Sequence, residues 1–205
     1  MDLAPFITAF VTLFVVIDPV GLAPLFPALT QGMDARARRA IALRACAIGA
    51  GLLTLFGLAG EAVLGFVGIS MPAFRIAGGI LLFLTALDML FERRTRRRGD
   101  QHADADDPSV FPLATPLIAG PGAMATMILL TGQNAGDVAW IAAVHGVMFA
   151  VIALTFLLFM AAGILERGLG PTGINVVTRL LGMLLAALSV QFVLDGLSAF
   201  ELTSR

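Results

Sequence analysis

Apolar residues run along this chain in blocks too long for β-strands and too continuous for helices that cover a water-soluble core. Six of these blocks reach the roughly 20 residues that an α-helix needs to cross about 30 Å of hydrocarbon. They lie near 4–29, 40–60, 73–91, 110–131, 139–165 and 176–200. Between the third and fourth, Glu92-Arg93-Arg94-Thr95-Arg96-Arg97-Arg98-Gly99-Asp100, with Asp104, Asp106 and Asp107 beyond it, is too charged to sit in lipid. The pattern predicts an all-α membrane protein: a first three-helix repeat over 1–91, an Arg/Asp-rich linker over 92–109, and a second three-helix repeat over 110–205.

Composition agrees. Hydrophobic residues make up 59%, charged residues 13% and the mean hydropathy is +0.95, which leaves too little polar surface to coat a soluble globule of 205 residues. The net charge of -1 hides a segregation, because all 13 basic residues are Arg and most fall between the blocks. Arg36, Arg38 and Arg39 follow span one, Arg93 to Arg98 follow span three and Arg167 follows span five, whereas Glu61 to Pro72 and Asn134 to Val138 carry none. Cytoplasmic loops hold the excess of positive charge, so this distribution predicts a multi-pass protein of the bacterial inner membrane with a cytoplasmic linker and both termini outside. Segregated Arg of this kind reads as a topology anchor and not as a nucleic-acid footprint, so the expected partners are membrane lipid and a small solute, and a homo-oligomer is left open.

Two landmarks recur. Arg75-Ile76-Ala77-Gly78-Gly79 opens span three and Arg179-Leu180-Leu181-Gly182 opens span six, 104 residues apart; Pro19 in span one and Pro121 in span four are 102 apart. A duplicated unit with an odd number of spans must enter the membrane in opposite senses, the inverted-repeat plan of secondary transporters.

Each repeat opens with a helix that the sequence should break near its middle. Span one contains Asp18-Pro19-Val20-Gly21-Leu22-Ala23-Pro24, and span four contains Pro112 and then Pro116-Leu117-Ile118-Ala119-Gly120-Pro121-Gly122. Pro removes a backbone bond and Gly relaxes helical geometry. Backbone groups freed at that depth are tolerated only inside the bundle or around a cavity. Half-helices beginning after Pro19 and Pro121 would aim their positive ends at one point from opposite sides, suiting a carboxylate, while unwound carbonyls and Asp18 suit an ammonium group. The predicted substrate site is therefore Asp18, Pro19, Gly21, Gly120, Pro121 and Gly122, and its natural guest is a zwitterion. The competing reading is a pair of kinks that only shape the bundle.

These motifs resemble the MarC family of integral membrane proteins, a six-helix family also described as neutral amino acid transporters. The likeness covers nearly the whole chain: Ile17-Asp18-Pro19-Val20-Gly21 with Pro24-Leu25-Phe26, Gly68-Ile69-Ser70-Met71-Pro72-Ala73-Phe74-Arg75-Ile76-Ala77-Gly78-Gly79, Thr115-Pro116-Leu117-Ile118-Ala119-Gly120-Pro121-Gly122-Ala123, and Arg179-Leu180-Leu181-Gly182 running to Gln191-Phe192-Val193-Leu194-Asp195-Gly196. The resemblance implies kinship with LysE-type exporters and transport of small neutral amino acids such as glycine and alanine. Position 18 departs from the family pattern, in which Asn is usual, and a carboxylate there admits coupling to a proton or to sodium.

Other polar residues are secondary candidates. Thr126 lies one turn beyond Gly122 and either reaches the same cavity or bonds back to its own helix. Gln191 and Asp195 share a face of span six and either complete the site or pack helices. Arg75 and Arg179 begin equivalent helices at opposite membrane faces, as interfacial anchors or gates; Asp195 joins them as a helix-end candidate. Asp88 and Glu61 read as interfacial, and His145 lacks the second ligand a metal site requires. Gly57, Gly60, Gly78, Gly79 and Gly182 read as points of close helix approach.

Cys46 is the sole cysteine, so no intrachain disulfide forms. The start lacks the basic region of a secretory signal, which predicts that the first block is a mature helix. No phosphate-binding loop is present, and no cofactor is expected beyond a coupling ion. The chain is read as a non-enzyme, a secondary exporter working by alternating access. Two alternatives stand beside it: an intramembrane enzyme pairing Asp18 with Asp88 or Asp195, and a membrane scaffold.

Overall fold

A computed structural model describes residues 3–91 and 107–203 of the chain, and the side chains up to residue 200. Among the described residues the protein is helical, with no strand. The first apolar block forms three short helices, α1 (Ala4–Ile17), α2 (Pro19–Leu22) and α3 (Leu25–Leu29), and two long helices follow, α4 (Ala35–Val67) and α5 (Met71–Leu90). The second half opens with α6 (Ser109–Ile118), an irregular segment in which Phe111 and Thr115 are extended ahead of Pro112 and Pro116 and which closes wide turns such as Ala119 N–H to the Ala114 carbonyl at 2.8 Å. Then come α7 (Pro121–Thr131), α8 (Val138–Met160) and α9 (Ala162–Thr203).

Local chemistry sets the ends. Asp34, Ser70 and Asp137 accept hydrogen bonds from the first free amides of α4, α5 and α8, and Gly68 closes α4 in the left-handed conformation with φ +81°. Five segments are long and apolar enough to cross a bilayer: Ala4–Leu22, Ala35–Val67, Met71–Leu90, Val138–Met160 and Ala162–Phe200. A sixth results if Ser109–Ile118 and Pro121–Asn134, bent by 53°, count as one span.

Several predicted boundaries move. Arg36, Arg38 and Arg39, expected in a loop, occupy the first turns of α4, because Arg is a good helix former and Asp34 starts the helix before them. The expected loop between spans five and six is absent: only Ala161 separates α8 from α9, and the chain bends instead at Gly170, with φ +64°, ahead of Pro171. Arg167 therefore sits on α9. The linker over 92–106 lies outside the described residues.

Large apolar side chains such as Leu55, Phe66, Leu84, Leu157 and Ile164 point outward, as lipid-facing residues do. The centre is α7, on which Gly122, Ala123 and every residue from Ala125 to Thr131 are buried, with α1, α4, α5 and α8 packed around it. Glycines permit this packing. A Cβ at Gly49 would lie 2.6 Å from Ile118 Cγ2, one at Gly57 would lie 2.9 Å from Met127 Cε, and one at Gly60 would collide with Ile128, so α4 grips the second half through three bare patches of backbone.

The most extensive packing is between α5 and α9, and it is antiparallel. Gly196 lies against Pro72 and Ile76, Gly79 against Ser189 and Val193, and Gly182 against Ala86 and Met89. Bare backbone on each helix thus receives the other near opposite ends of the contact.

Candidate functional site

Asp18 is fully buried and is the only non-glycine residue with positive φ, +56°, among the described residues. The conformation follows from its neighbours. The residue before Pro is pushed out of the right-handed helical region, and Asp tolerates the left-handed one because its short polar side chain bonds locally. Its amide donates to the Phe14 carbonyl at 2.9 Å, ending α1, while its carbonyl accepts from Leu22 N–H at 2.9 Å, starting α2. One residue therefore holds both sides of the interruption.

Its carboxylate Oδ1 also accepts from Gly21 N–H at 3.0 Å. Gly21 is required for this bond, because a Cβ there would sit 2.8 Å from the Asp18 carboxyl carbon. This geometry revises the symmetrical picture of two open helix ends. The end of α2 is occupied by the carboxylate of Asp18, and at four residues α2 is too short to carry much of a dipole.

The second interruption remains open. Gly120 is extended, with φ -80° and ψ 166°, and no side chain caps α7, which begins at Pro121 and runs for 11 residues. Gly120 has no room for a side chain, since a Cβ would lie 2.5 Å from the Pro116 carbonyl oxygen. A Cβ at Gly122 would lie 3.3 Å from Leu82 Cδ2, 3.4 Å from Val16 Cγ1 and 3.6 Å from Thr85 Oγ1. Val16 precedes Asp18 by two residues and Gly122 follows Pro121, so the two Pro-Gly segments lie side by side, with Asp18, Pro19 and Gly122 buried, Gly21 and Gly120 half-buried and Pro121 exposed.

Thr126 is buried and its hydroxyl donates to the Gly122 carbonyl at 2.8 Å, the second of the two outcomes its position allowed. Thr12 on α1 bonds back in the same way, to the Thr8 carbonyl at 2.8 Å. Each hydroxyl keeps acceptor capacity after donating its hydrogen.

Gln191 does not join this group. It is exposed on α9 and donates to Asp195 Oδ1 at 2.7 Å, so the pair faces outward and away from the interruptions. Helical phase explains the discrepancy: Ser189, Phe192 and Gly196 take the inward face of α9, leaving Gln191 on the far side. Arg75 is half-buried near the start of α5, and Arg179 is exposed beyond the Gly182 contact, so the two lie at opposite ends of the α5–α9 pair.

Two contacts were not anticipated. Arg44 on α4 forms an ion pair with Asp107 at 2.5 Å, and the Asp107 carboxylate also accepts from the hydroxyl and amide of Ser109 at 2.6 and 3.0 Å, tying the start of α6 to the first half. The two Ser109 hydrogen bonds, with the Arg44 guanidinium adding less, hold the Asp107 carboxyl below the usual carboxylate range. The Asp-Pro-Ser run was a local signal for a helix start; its partner 63 residues away had none. Trp140 Nε1 donates to the Leu130 carbonyl at 2.8 Å and pins α8 to the end of α7.

Comparison with known proteins places this architecture among membrane proteins. The family model described as MarC family integral membrane protein matches residues 3–200. A UPF0056 membrane protein of Aquifex aeolicus is 37% identical, over 94% of this chain and 92% of its own length. UPF0056 membrane protein YvbG of Bacillus subtilis is 37% identical over 92% of each chain. UPF0056 inner membrane protein YhgN of Escherichia coli K12 is 33% identical, over 93% of this chain and 95% of its own. No solved structure matches the chain.

Proposed function

The chain belongs to the MarC family of integral membrane proteins, and from that premise we propose that it is a secondary transporter that exports small neutral amino acids across the inner membrane by alternating access. The observation that carries the proposal is the contact of Gly122 with Val16, which brings the two interrupted segments together in the core. Irregular backbone buried in a membrane protein is a characteristic way of building a solute site.

In this reading the uncapped end of α7, with the Gly122 and Ala123 amides, receives the carboxylate of the guest, and Thr126 braces that end through its bond to the Gly122 carbonyl. Asp18 supplies negative charge for the ammonium group or for a coupling proton or sodium ion. Its carboxylate is divided between capping α2 and meeting the guest, so guest binding and the geometry of the first interruption are linked.

The pairing of helices supports an inverted repeat. The first helices of the two halves, α1 and α7, pack together, as do the second, α4 and α8, and the third, α5 and α9, and the crossed pairs α1–α8 and α4–α7, which the same axis would interchange, pack at least as extensively. An axis relating the halves produces pairings of like with like, and the antiparallel run of α5 and α9 fits halves of opposite sense. The proposed topology places both termini outside and the Arg-rich linker in the cytoplasm.

We read the protein as a non-enzyme. Paired-carboxylate chemistry finds no support in the positions of Asp18, which is buried beside α2, and Asp195, which is exposed and bonded to Gln191. The test is uptake of labelled glycine and alanine by proteoliposomes under proton and sodium gradients. Uptake above empty vesicles is expected; flux equal to empty vesicles under every gradient overturns the proposal.

A further inference from the structure

Between Leu180 and Leu197 the side of α9 that turns away from the bundle is apolar except at one place. Val190, Leu194 and Leu197 are each about half exposed, as lipid-facing residues are, yet Gln191 and Asp195 stand among them. Their depth follows from the neighbouring helix. Gly79 sits near the centre of the 20-residue α5 and lies against Ser189 and Val193, the residues that flank Gln191. A 20-residue helix is about 30 Å long, the thickness of a hydrocarbon core. Gln191 is therefore close to mid-depth, and Asp195 is one turn, about 5.4 Å, from it.

Among the described residues the Gln191–Asp195 bond leaves the pair incompletely satisfied. Gln191 has a second N–H and a carbonyl oxygen, and Asp195 has a second carboxyl oxygen. An acyl chain offers none of them a partner, and polar groups left facing lipid at that depth are strongly disfavoured. Ser198 on the same helix shows the contrast, since its hydroxyl is satisfied by the Leu194 carbonyl at 3.0 Å.

We propose that this face of α9 is a dimer interface, occupied by a second copy of the same chain. A two-fold axis lays a surface patch on itself, so a polar patch is satisfied by its own copy only when it carries donor and acceptor together. The Gln191–Asp195 pair does: the spare N–H of Gln191 meets the partner's Asp195, and the reverse holds across the axis. Beside the pair, a groove lined by Ile80, Phe83, Val190, Val193 and Leu194, together with Gly79 and Ser189, exposes an apolar surface that seats aliphatic side chains of the facing helix. The inference depends on insertion in a membrane and not on transport, so the two stand or fall separately.

Cysteine cross-linking in phosphatidylethanolamine–phosphatidylglycerol liposomes tests it, in a Cys46→Ser background. Leu194→Cys and Ser198→Cys are expected to give an oxidised dimer, and Leu58→Cys on α4, which is more exposed than Leu194, is not. In the same liposomes, dilution-dependent energy transfer between labelled chains should show at least tenfold weaker association for Gln191→Leu/Asp195→Leu. The exchange Gln191→Asp/Asp195→Gln keeps one donor and one acceptor and should restore it. Cross-linking no greater than at Leu58→Cys, or a leucine variant that associates like the parent, overturns the proposal.

Discussion

Gly122 at the start of α7 faces Val16 near the end of α1 so closely that a Cβ added to it would lie 3.4 Å from Val16 Cγ1. That spacing is ordinary van der Waals contact, so the smallest side chain fits and a large one does not. Gly122→Ala should fold and transport at a reduced rate, because Leu82 must give by a few tenths of an ångström. Gly122→Phe should drive α1 and α7 apart and lower uptake to the level of empty vesicles, as measured with labelled alanine.

Asp18→Asn separates the backbone role of this residue from its charge. Asn tolerates the left-handed conformation and its side-chain oxygen accepts from Gly21 N–H, so thermal stability should stay within about 2 °C of the parent. The proton or sodium dependence of uptake should change, since the carboxylate is gone. Unchanged ion dependence would remove Asp18 as the coupling residue.

Gly21→Ala should do the opposite. Its Cβ meets the Asp18 carboxyl group, which must leave the cap. The expected loss is about 1 kcal/mol, a drop of roughly 2–4 °C in melting temperature for a chain of this size, with the charge retained.

The α5–α9 contact yields a prediction about stability alone. A Cβ at Gly79 would lie 2.8 Å from the Ser189 carbonyl oxygen and 3.1 Å from Val193 N, and backbone cannot step aside as a side chain can. Gly79→Leu should destabilise by about 1–3 kcal/mol, whereas Gly146→Leu, with nothing within 4 Å of its added Cβ, should be neutral or better in thermal unfolding.

Much of this architecture could be read from the order of residues. Continuous apolar blocks marked the helices, and Pro19 and Pro121 marked where regular winding fails, whereas the starts set by Asp34, Ser70 and Asp137 lie outside the apolar blocks and were placed a few residues too late. The glycines of α4 and α5 were legible as contacts because nothing else explains bare backbone in a helix. Rotation was not legible: Gln191 and Asp195 share a face in any helix, but which neighbour that face meets depends on how α9 settles against α5. The self-capping of α2 was hidden for a similar reason, since Asp18 bonds locally or reaches outward according to one side-chain torsion. Loop positions misled because Arg-rich runs read as polar linkers although Arg winds readily into helix, as on α4.

The Arg44–Asp107–Ser109 cluster predicts a pH response with a definite sign. A carboxyl whose folded pKa is depressed stabilises the fold above its unfolded value, near 3.9, and that contribution is lost as pH falls through the folded value. The tie between α4 and α6 should therefore persist through neutral and mildly acidic solution. Because the Ser109 hydroxyl is the largest single cause, Ser109→Ala should raise the Asp107 titration although the Ser109 amide bond stays, as read by carboxyl NMR.

Joining the two interruptions covalently tests the central claim most directly. In a Cys46→Ser background, Val16→Cys/Gly122→Cys places two thiols at a separation a disulfide can span. The bond is predicted to form on oxidation, to reduce uptake of labelled glycine and alanine to that of empty vesicles, and to release it again on reduction. A bond that forms while uptake continues at the parental rate, or that fails to form at all, would contradict a solute site built where α1 and α7 meet.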